Sequence, residues 1–188
     1  FDEMSGADGA IRPAYKELSA WLSEVRPDVL DYRRREAEVL FRRIGITFAV
    51  YGEAESTERL IPFDVIPRIL SGSEWRILQR GLEQRVKAIN AFLHDIYHRQ
   101  EIVRAGRIPE ALIAKNSAFL PAMIGFTPPG GTYTHIVGID LVRTGPDEFY
   151  VLEDNARTPS GVSYMLENRE TMMNMFPELF SAIRVREV

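Results

Sequence analysis

Two β-rich runs joined by a short turn constrain this chain more than any other stretch. Residues 136–143 read Ile-Val-Gly-Ile-Asp-Leu-Val-Arg, and residues 149–155 read Phe-Tyr-Val-Leu-Glu-Asp-Asn. Between them Gly145-Pro146-Asp147-Glu148 is a turn signal, so the pair is predicted to close as a β-hairpin. If Thr144 faces Phe149 across the loop, Val142 faces Val151, Asp140 faces Glu153 and Gly138 faces Asn155. Side chains alternate along a strand, so Asp140, Glu153 and Asn155 share one face and Asp154 points the other way. Directly paired Cβ atoms lie about 4.5–5.5 Å apart, and like charges there repel. Two carboxylates and an amide oxygen converging in this way call for a cation or a proton. An all-oxygen donor set suits Mg²⁺ or Mn²⁺, cations that keep waters and bind beside phosphates. The alternative is a set of strand-end polar residues facing water, and a one-residue slip in register would separate the faces.

Composition narrows the classes. The 188 residues are 45% hydrophobic and 27% charged, which gives an ordinary globular chain with apolar residues for a sizeable core. A net charge of −4 argues against nucleic acid as the main partner. The absence of cysteine excludes a disulfide framework, a thiolate metal site and a cysteine nucleophile, and fits a reducing compartment. No run of about 18 apolar residues marks a membrane span, and no basic-then-apolar leader opens the chain. The chain begins with Phe1 rather than Met, so the true N-terminus is expected to lie upstream.

In chain order, Pro13 opens a predicted helix to about Val25, with Tyr15, Leu18, Trp21 and Leu22 on one face. A second helix is expected over 30–44. Its Arg33-Arg34-Arg35 run reads as a solvated face rather than an anion site. Residues 46–51 read as a strand, 52–58 as a polar loop, and 59–70 as a short edge strand or extended segment limited by Pro62 and Pro67. The longest helix is predicted from Ser73 to about Gln100, carrying an apolar stripe of Trp75, Leu78, Leu82, Ile89, Leu93 and Ile96. On it His94-Asp-Ile-Tyr-His98 imitates a zinc-protease pattern, but Asp95 stands where the general-base Glu belongs. The two histidines are therefore read as part of a solvated helix face.

A short helix is expected near Pro109, and Thr127-Pro-Pro-Gly-Gly131 as a turn. Gly130 and Gly131 could approach a phosphate, but no P-loop lysine follows, which favours a plain connection. After Asn155, residues Arg157, Pro159, Ser160 and Gly161 lead into a helix near Ser163. That position suits an anion, or Ser160 or Ser163 simply caps the helix. Met165, Met172, Met173, Met175 and Phe176 are expected in the core.

The stretch 150–169, YVLEDNARTPSGVSYMLENR, resembles the signature of the circularly permuted ATP-grasp proteins (type 2) related to glutathionylspermidine synthase. GITFAVYG at 45–52, IPFDVIPR at 61–68 and DIYHRQ at 95–100 are similar to further stretches of that family. The resemblance implies an α/β (α+β), ATP-grasp-like fold. A helix-rich region is expected over 1–125, and a hairpin bearing the metal site, with its following helices, over 126–188. It also implies an ATP-dependent carboxylate–amine ligase acting through an acyl phosphate, with ATP and Mg²⁺ (or Mn²⁺) as cofactors. Its substrates would be small-molecule or peptide acids and amines, and its location cytoplasmic. Asp140, Glu153 and Asn155 carry over as metal ligands. Arg157 is expected to steady the acyl phosphate or the incoming carboxylate, and Ser160 and Gly161 to line the substrate side. Glutathionylspermidine synthases carry an arginine two residues before the metal Asp, and here that residue is Gly138.

ATP-grasp enzymes clamp ATP with lysines, yet the only lysines here are Lys16, Lys87 and Lys115, all upstream of the metal stretch. The chain is therefore expected to be a fragment of a longer protein, inactive alone. Two alternatives stay open at this stage. One is a non-catalytic ATP-grasp-like binding module. The other is a hydrolase using Asp140 and Glu153 as an acid–base pair.

Overall fold

The structure is a computed structural model describing residues 1–49, 58–60 and 62–187. It divides into two compact units, Phe1–Ser71 with Ser160–Val188, and Gly72–Pro159. The unit boundaries fall at 71/72 and 159/160.

The first unit is mainly helical. A 3₁₀ turn at Pro13–Tyr15 leads into α1 (Lys16–Glu24), and α2 (Pro27–Ile44) follows, starting on its proline as a first-turn residue should. Gly45 ends α2 in the left-handed region, at φ 79° and ψ 31°, and the Ile46 N–H returns to the Phe41 carbonyl at 2.9 Å. A side chain at Gly45 would oppose that conformation, which is why the sequence breaks there. Strands β1 (Thr47–Ala49) and β2 (Glu58–Leu60) pair antiparallel, and the loop expected over 52–58 lies outside the described residues except for Glu58. The unit closes with α6 (Val162–Met175) and α7 (Pro177–Ala182).

Its core joins Tyr15, Leu18, Ala37 and Val65 to Met172, Met175, Phe176 and Leu179. Trp21 meets Phe176 edge-on with ring centroids 5.1 Å apart. Of the methionines expected inside, Met165 and Met173 are exposed, because only one side of α6 meets α2 and α7. The arginine run on α2 is occupied locally. Arg33 pairs with Glu36, Arg34 with Asp31, and Arg35 donates to the Asp31 carbonyl.

The second unit is built on α3 (Gly72–Tyr97), about 39 Å long at 1.5 Å per residue. It ends three residues short of the expected Gln100. The Asp95 carboxylate accepts the N–H groups of Glu101 and Ile102 at 2.9 Å each and so starts α4 (Glu101–Arg104). Those two bonds hold the Asp95 carboxyl below its usual range. Gln100 between the helices takes φ 53°, a left-handed conformation unusual for a side-chain-bearing residue. Next come α5 (Glu110–Ala114), which Pro109 precedes as N-cap, and the antiparallel hairpin of β3 (Gly138–Arg143) and β4 (Phe149–Asn155).

Ile96, Tyr97 and Ile113 form the core of this unit, with Tyr97 stacked on Phe119. Leu78 and Ile96 of the predicted α3 stripe are buried, whereas Trp75 stays 38% exposed. No helix among the described residues is long and apolar enough to cross a membrane.

Arg143 closes the hairpin loop from inside. Its side chain is 2% exposed, pairs with Glu74 in the first turn of α3, and donates to the carbonyls of Gly145 and Pro146. Removing Glu74 takes an anionic partner from a nearly buried guanidinium, a larger loss than the pair's own worth. Glu74→Ala should lower unfolding stability by about 3 kcal/mol, measured by urea denaturation.

Candidate functional site

The candidate residues lie at the open end of the hairpin. Its ladder begins at the loop with Arg143 opposite Phe149, Val142 opposite Tyr150 and Leu141 opposite Val151. Then the register shifts. Asp140 pairs with Glu153, Ile139 with Asp154 and Gly138 with Asn155, so Leu152 drops out of the ladder as a β-bulge. The pairs expected near the loop, Thr144 with Phe149 and Val142 with Val151, are thus each wrong by one residue. The pairs Asp140–Glu153 and Gly138–Asn155 match expectation, because the one-residue offset at the closing pair and the bulge cancel.

Burial follows the same count. Along β4, Tyr150 is exposed and Val151 half-buried, then Leu152 and Glu153 are both exposed before Asp154 turns inward. Asp140, Glu153 and Asn155 are all open to solvent. Leu152, at 69% exposure, stands beside them, with Val142 and Tyr150 also exposed along the ladder.

The three carboxylates of this hairpin end are treated differently. Asp154 receives a two-pronged ion pair from Arg85 on α3, Nε to Oδ1 at 2.6 Å and Nη2 to Oδ2 at 2.7 Å. The Arg85 hydrogen bond is the main cause that holds the Asp154 carboxyl below its usual range, and the same bond raises Arg85. Asp140 has no hydrogen-bond or ion-pair partner among the described residues, although it directly opposes Glu153. Glu153 accepts one hydrogen bond, from Asn155 Nδ2 at 3.1 Å. That bond turns the amide nitrogen toward Glu153 and leaves Asn155 Oδ1 as an acceptor without a protein donor among the described residues.

Among the described residues no three His, Cys, Asp or Glu side chains gather closely enough to hold a metal. The candidate set is two carboxylates and an amide. Its chemistry is all-oxygen, which fits a hard cation whose remaining positions are filled by water or phosphate oxygens.

Arg157 is exposed and makes no hydrogen bond or ion pair among the described residues. Ser160 and Gly161 belong to the other compact unit. Gly161 is the N-cap of α6 at φ 94°, with no side-chain cap, so neither Ser160 nor Ser163 caps that helix.

The polar residues that hold the hairpin on α3 were less evident from spacing alone. Asn90 Oδ1 accepts the N–H groups of Tyr133 and Thr134 at 2.7 and 3.2 Å, and its Nδ2 donates to Thr134 Oγ1. The two histidines lie on a solvated part of the helix as expected, His94 exposed and His98 half-buried, and they also bond the loop that faces them. Their rings stack at 4.1 Å. His98 Nδ1 faces the His94 carbonyl at 2.8 Å and must donate to it, which leaves Nε2 to accept from the Thr127 hydroxyl at 3.1 Å. His94 meets the Tyr133 hydroxyl at 3.3 Å. A repeat of i, i+4 histidines opposite a Thr/Tyr-bearing loop was the available signal.

Comparison with known proteins places the chain among relatives by sequence. Residues 67–188 match the family described as circularly permuted ATP-grasp type 2. An uncharacterized protein of Synechocystis sp. is 44% identical over 188 residues, which is all of this chain and 39% of that protein. An uncharacterized protein of Mycobacterium tuberculosis H37Rv is 45% identical over 191 residues, all of this chain and 33% of its own length. A Frankia alni protein named "Putative glutamate--cysteine ligase 2-3" is 43% identical over 184 residues, 95% of this chain and 20% of that protein. The chain thus spans about two fifths or less of these relatives.

The Asp154–Arg85 pair has a pH signature. A carboxyl depressed in the folded state contributes stability above its unfolded pKa, about 3.9, and loses it as pH falls through the folded value. Between about pH 5 and about pH 2, Asp154→Asn should therefore lose less stability than wild type, read as the change in denaturation midpoint. Residues 67–188, well over half of the chain, match that family's model, so the chain belongs to the circularly permuted ATP-grasp type 2 family.

Proposed function

We propose that this chain supplies the metal-bearing hairpin of an ATP-dependent carboxylate–amine ligase, with Asp140, Glu153 and Asn155 as the cation ligands. One observation carries the reading. The fold neutralises Asp154 with Arg85 but leaves Asp140 opposite Glu153 without a cation among the described residues. Two facing carboxylates repel, so this arrangement costs stability unless a cation occupies it. As a purely structural strand end it would have no reason to leave one pair bare while pairing its neighbour.

In the reaction, the substrate carboxylate attacks the γ-phosphorus of ATP, giving an acyl phosphate and ADP. The amine then adds to the acyl carbon, and phosphate leaves to form the amide. A bound Mg²⁺ or Mn²⁺ neutralises phosphate charge and aligns the transfer. The chain's own part is to hold that charge in place. Asp140 and Glu153 supply two anionic oxygens from adjacent strands, and Asn155 Oδ1 supplies a neutral third. Arg157, whose guanidinium has no partner among the described residues, meets the acyl phosphate or the incoming carboxylate. Ser160 and Gly161 line the substrate side. The name of the Frankia alni relative, a glutamate–cysteine ligase, supports amide formation between an acid and an amine. The distant resemblance to glutathionylspermidine synthase supports the same reaction class.

The intact protein should release ADP only when Mg²⁺, a carboxylate and an amine are all supplied. Asp140→Asn and Glu153→Gln should each lower that rate at least about 100-fold, since they remove charge that stabilises the transferring phosphoryl group. Cation binding with no ADP release from a broad acid and amine panel would instead mark a non-catalytic binding module. Turnover without ATP would point to acid–base hydrolysis by the carboxylate pair.

A further inference from the structure

Gly138 ends the ladder opposite Asn155, and its backbone does not require glycine, since its φ is not in the left-handed region. Glycine inside a strand is ordinarily a weakness, because it packs nothing and costs entropy. Here it provides room. A Cβ at Gly138 would lie 3.3 Å from Pro159 Cβ, tighter than such contacts normally run, and 3.4 Å from Asn155 Cβ, at the edge of ordinary contact. Pro159 therefore packs directly over the Gly138 backbone, and the segment 156–159 turns back across the strand end that it has just left. Asn155 is confined from two sides, by its cross-strand partner and by its hydrogen bond to Glu153.

We infer that Gly138 is a positioning residue for the divalent-cation site. Its missing side chain seats Pro159 against β3, and that contact fixes Asn155 and the return path of the segment bearing Arg157. The inference rests on reading Asp140, Glu153 and Asn155 as cation ligands. A residue that orients ligands without touching the metal typically alters affinity about 10–100-fold when changed.

The test is Mn²⁺ titration of the intact protein, followed by loss of the free-ion electron paramagnetic resonance signal. It compares wild type with Gly138→Val, Pro159→Gly and the double variant, and uses Glu153→Gln as the site control. Gly138→Val should weaken Mn²⁺ binding about 10–100-fold. Its melting temperature should change little, because the strand preference of a β-branched residue offsets the displaced Pro159 contact. A merely structural glycine would not give that split. Pro159→Gly should also weaken binding, and the double variant should be no weaker than the worse single variant, since both changes break one contact.

Wild-type affinity in Gly138→Val overturns the inference, and so does a strictly additive double variant. If wild type binds no better than Glu153→Gln, the cation site itself is wrong and the positioning role falls with it. If Gly138→Val does not melt cooperatively, Gly138→Ala decides. A smaller loss in the same direction supports the role, and unchanged affinity ends it.

Discussion

The opposition of Asp140 and Glu153 across one rung of the hairpin is the constraint on which the rest of the candidate site depends. It exists because Leu152 stays out of the ladder. Counting from the closing pair Arg143–Phe149 without a bulge, Asp140 would meet Leu152, and Glu153 would point to the opposite face beside Ile139. One extra residue thus decides whether the two carboxylates converge or part. Bulges bend and twist the strand that holds them, and they commonly re-aim side chains next to functional sites. Here the re-aimed side chain is Glu153, with Asn155 following two residues later on the same face.

Such convergence needs a rigid support, and α3 supplies it through polar ties rather than through a deep apolar seam. Arg143 reaches the first turn of α3 at Glu74, Arg85 takes Asp154, and Asn90 takes the backbone of Tyr133 and Thr134. Further along, His94 and His98 take Tyr133 and Thr127. These ties are spread along the helix, so each part of the hairpin and its approach is registered at a different turn. Hydrogen bonds of this kind are directional and fix orientation more sharply than an apolar contact of similar strength. The inward-facing residues of the hairpin serve anchoring, which leaves the outward face free for chemistry.

Much of this was legible in the sequence because alternation and turn chemistry are local. The hairpin, its outward Asp140, Glu153 and Asn155, and the inward Asp154 all follow from a period of two and a Gly-Pro-Asp turn. The bulge was not legible, because nothing in Val151-Leu152-Glu153 differs from an ordinary strand. The correct pairing at the site came from two offsetting departures, a closing pair shifted by one residue and one looped-out residue. Helix ends were misplaced where a side chain competed with the backbone, as Asp95 does at the end of α3. Periodicity also overstated burial. Met165 and Met173 fit an apolar pattern, yet α6 has neighbours on only one side. The histidine pair shows the converse. A pattern that imitates a metal site becomes a loop anchor once Thr127 and Tyr133 are folded against it.

The recognisable stretch 150–169 is not uniformly fixed, and the gradient matters for how the site would work. Glu153 and Asn155 lie within the ladder and bond each other, so their geometry is set before any ligand arrives. Two residues on, Arg157 is exposed and tied to nothing among the described residues, and its segment is held back against the hairpin by Pro159 over Gly138. Sites carried on strands hold position more closely than sites on loops. A cation placed by the ladder could therefore be met by a guanidinium that takes its final position from the substrate. Charge in the rigid part and freedom in the adjoining part suit a two-step reaction. In the proposed reaction the acceptor carboxylate would become an acyl phosphate while Asp140, Glu153 and Asn155 keep their places in the ladder.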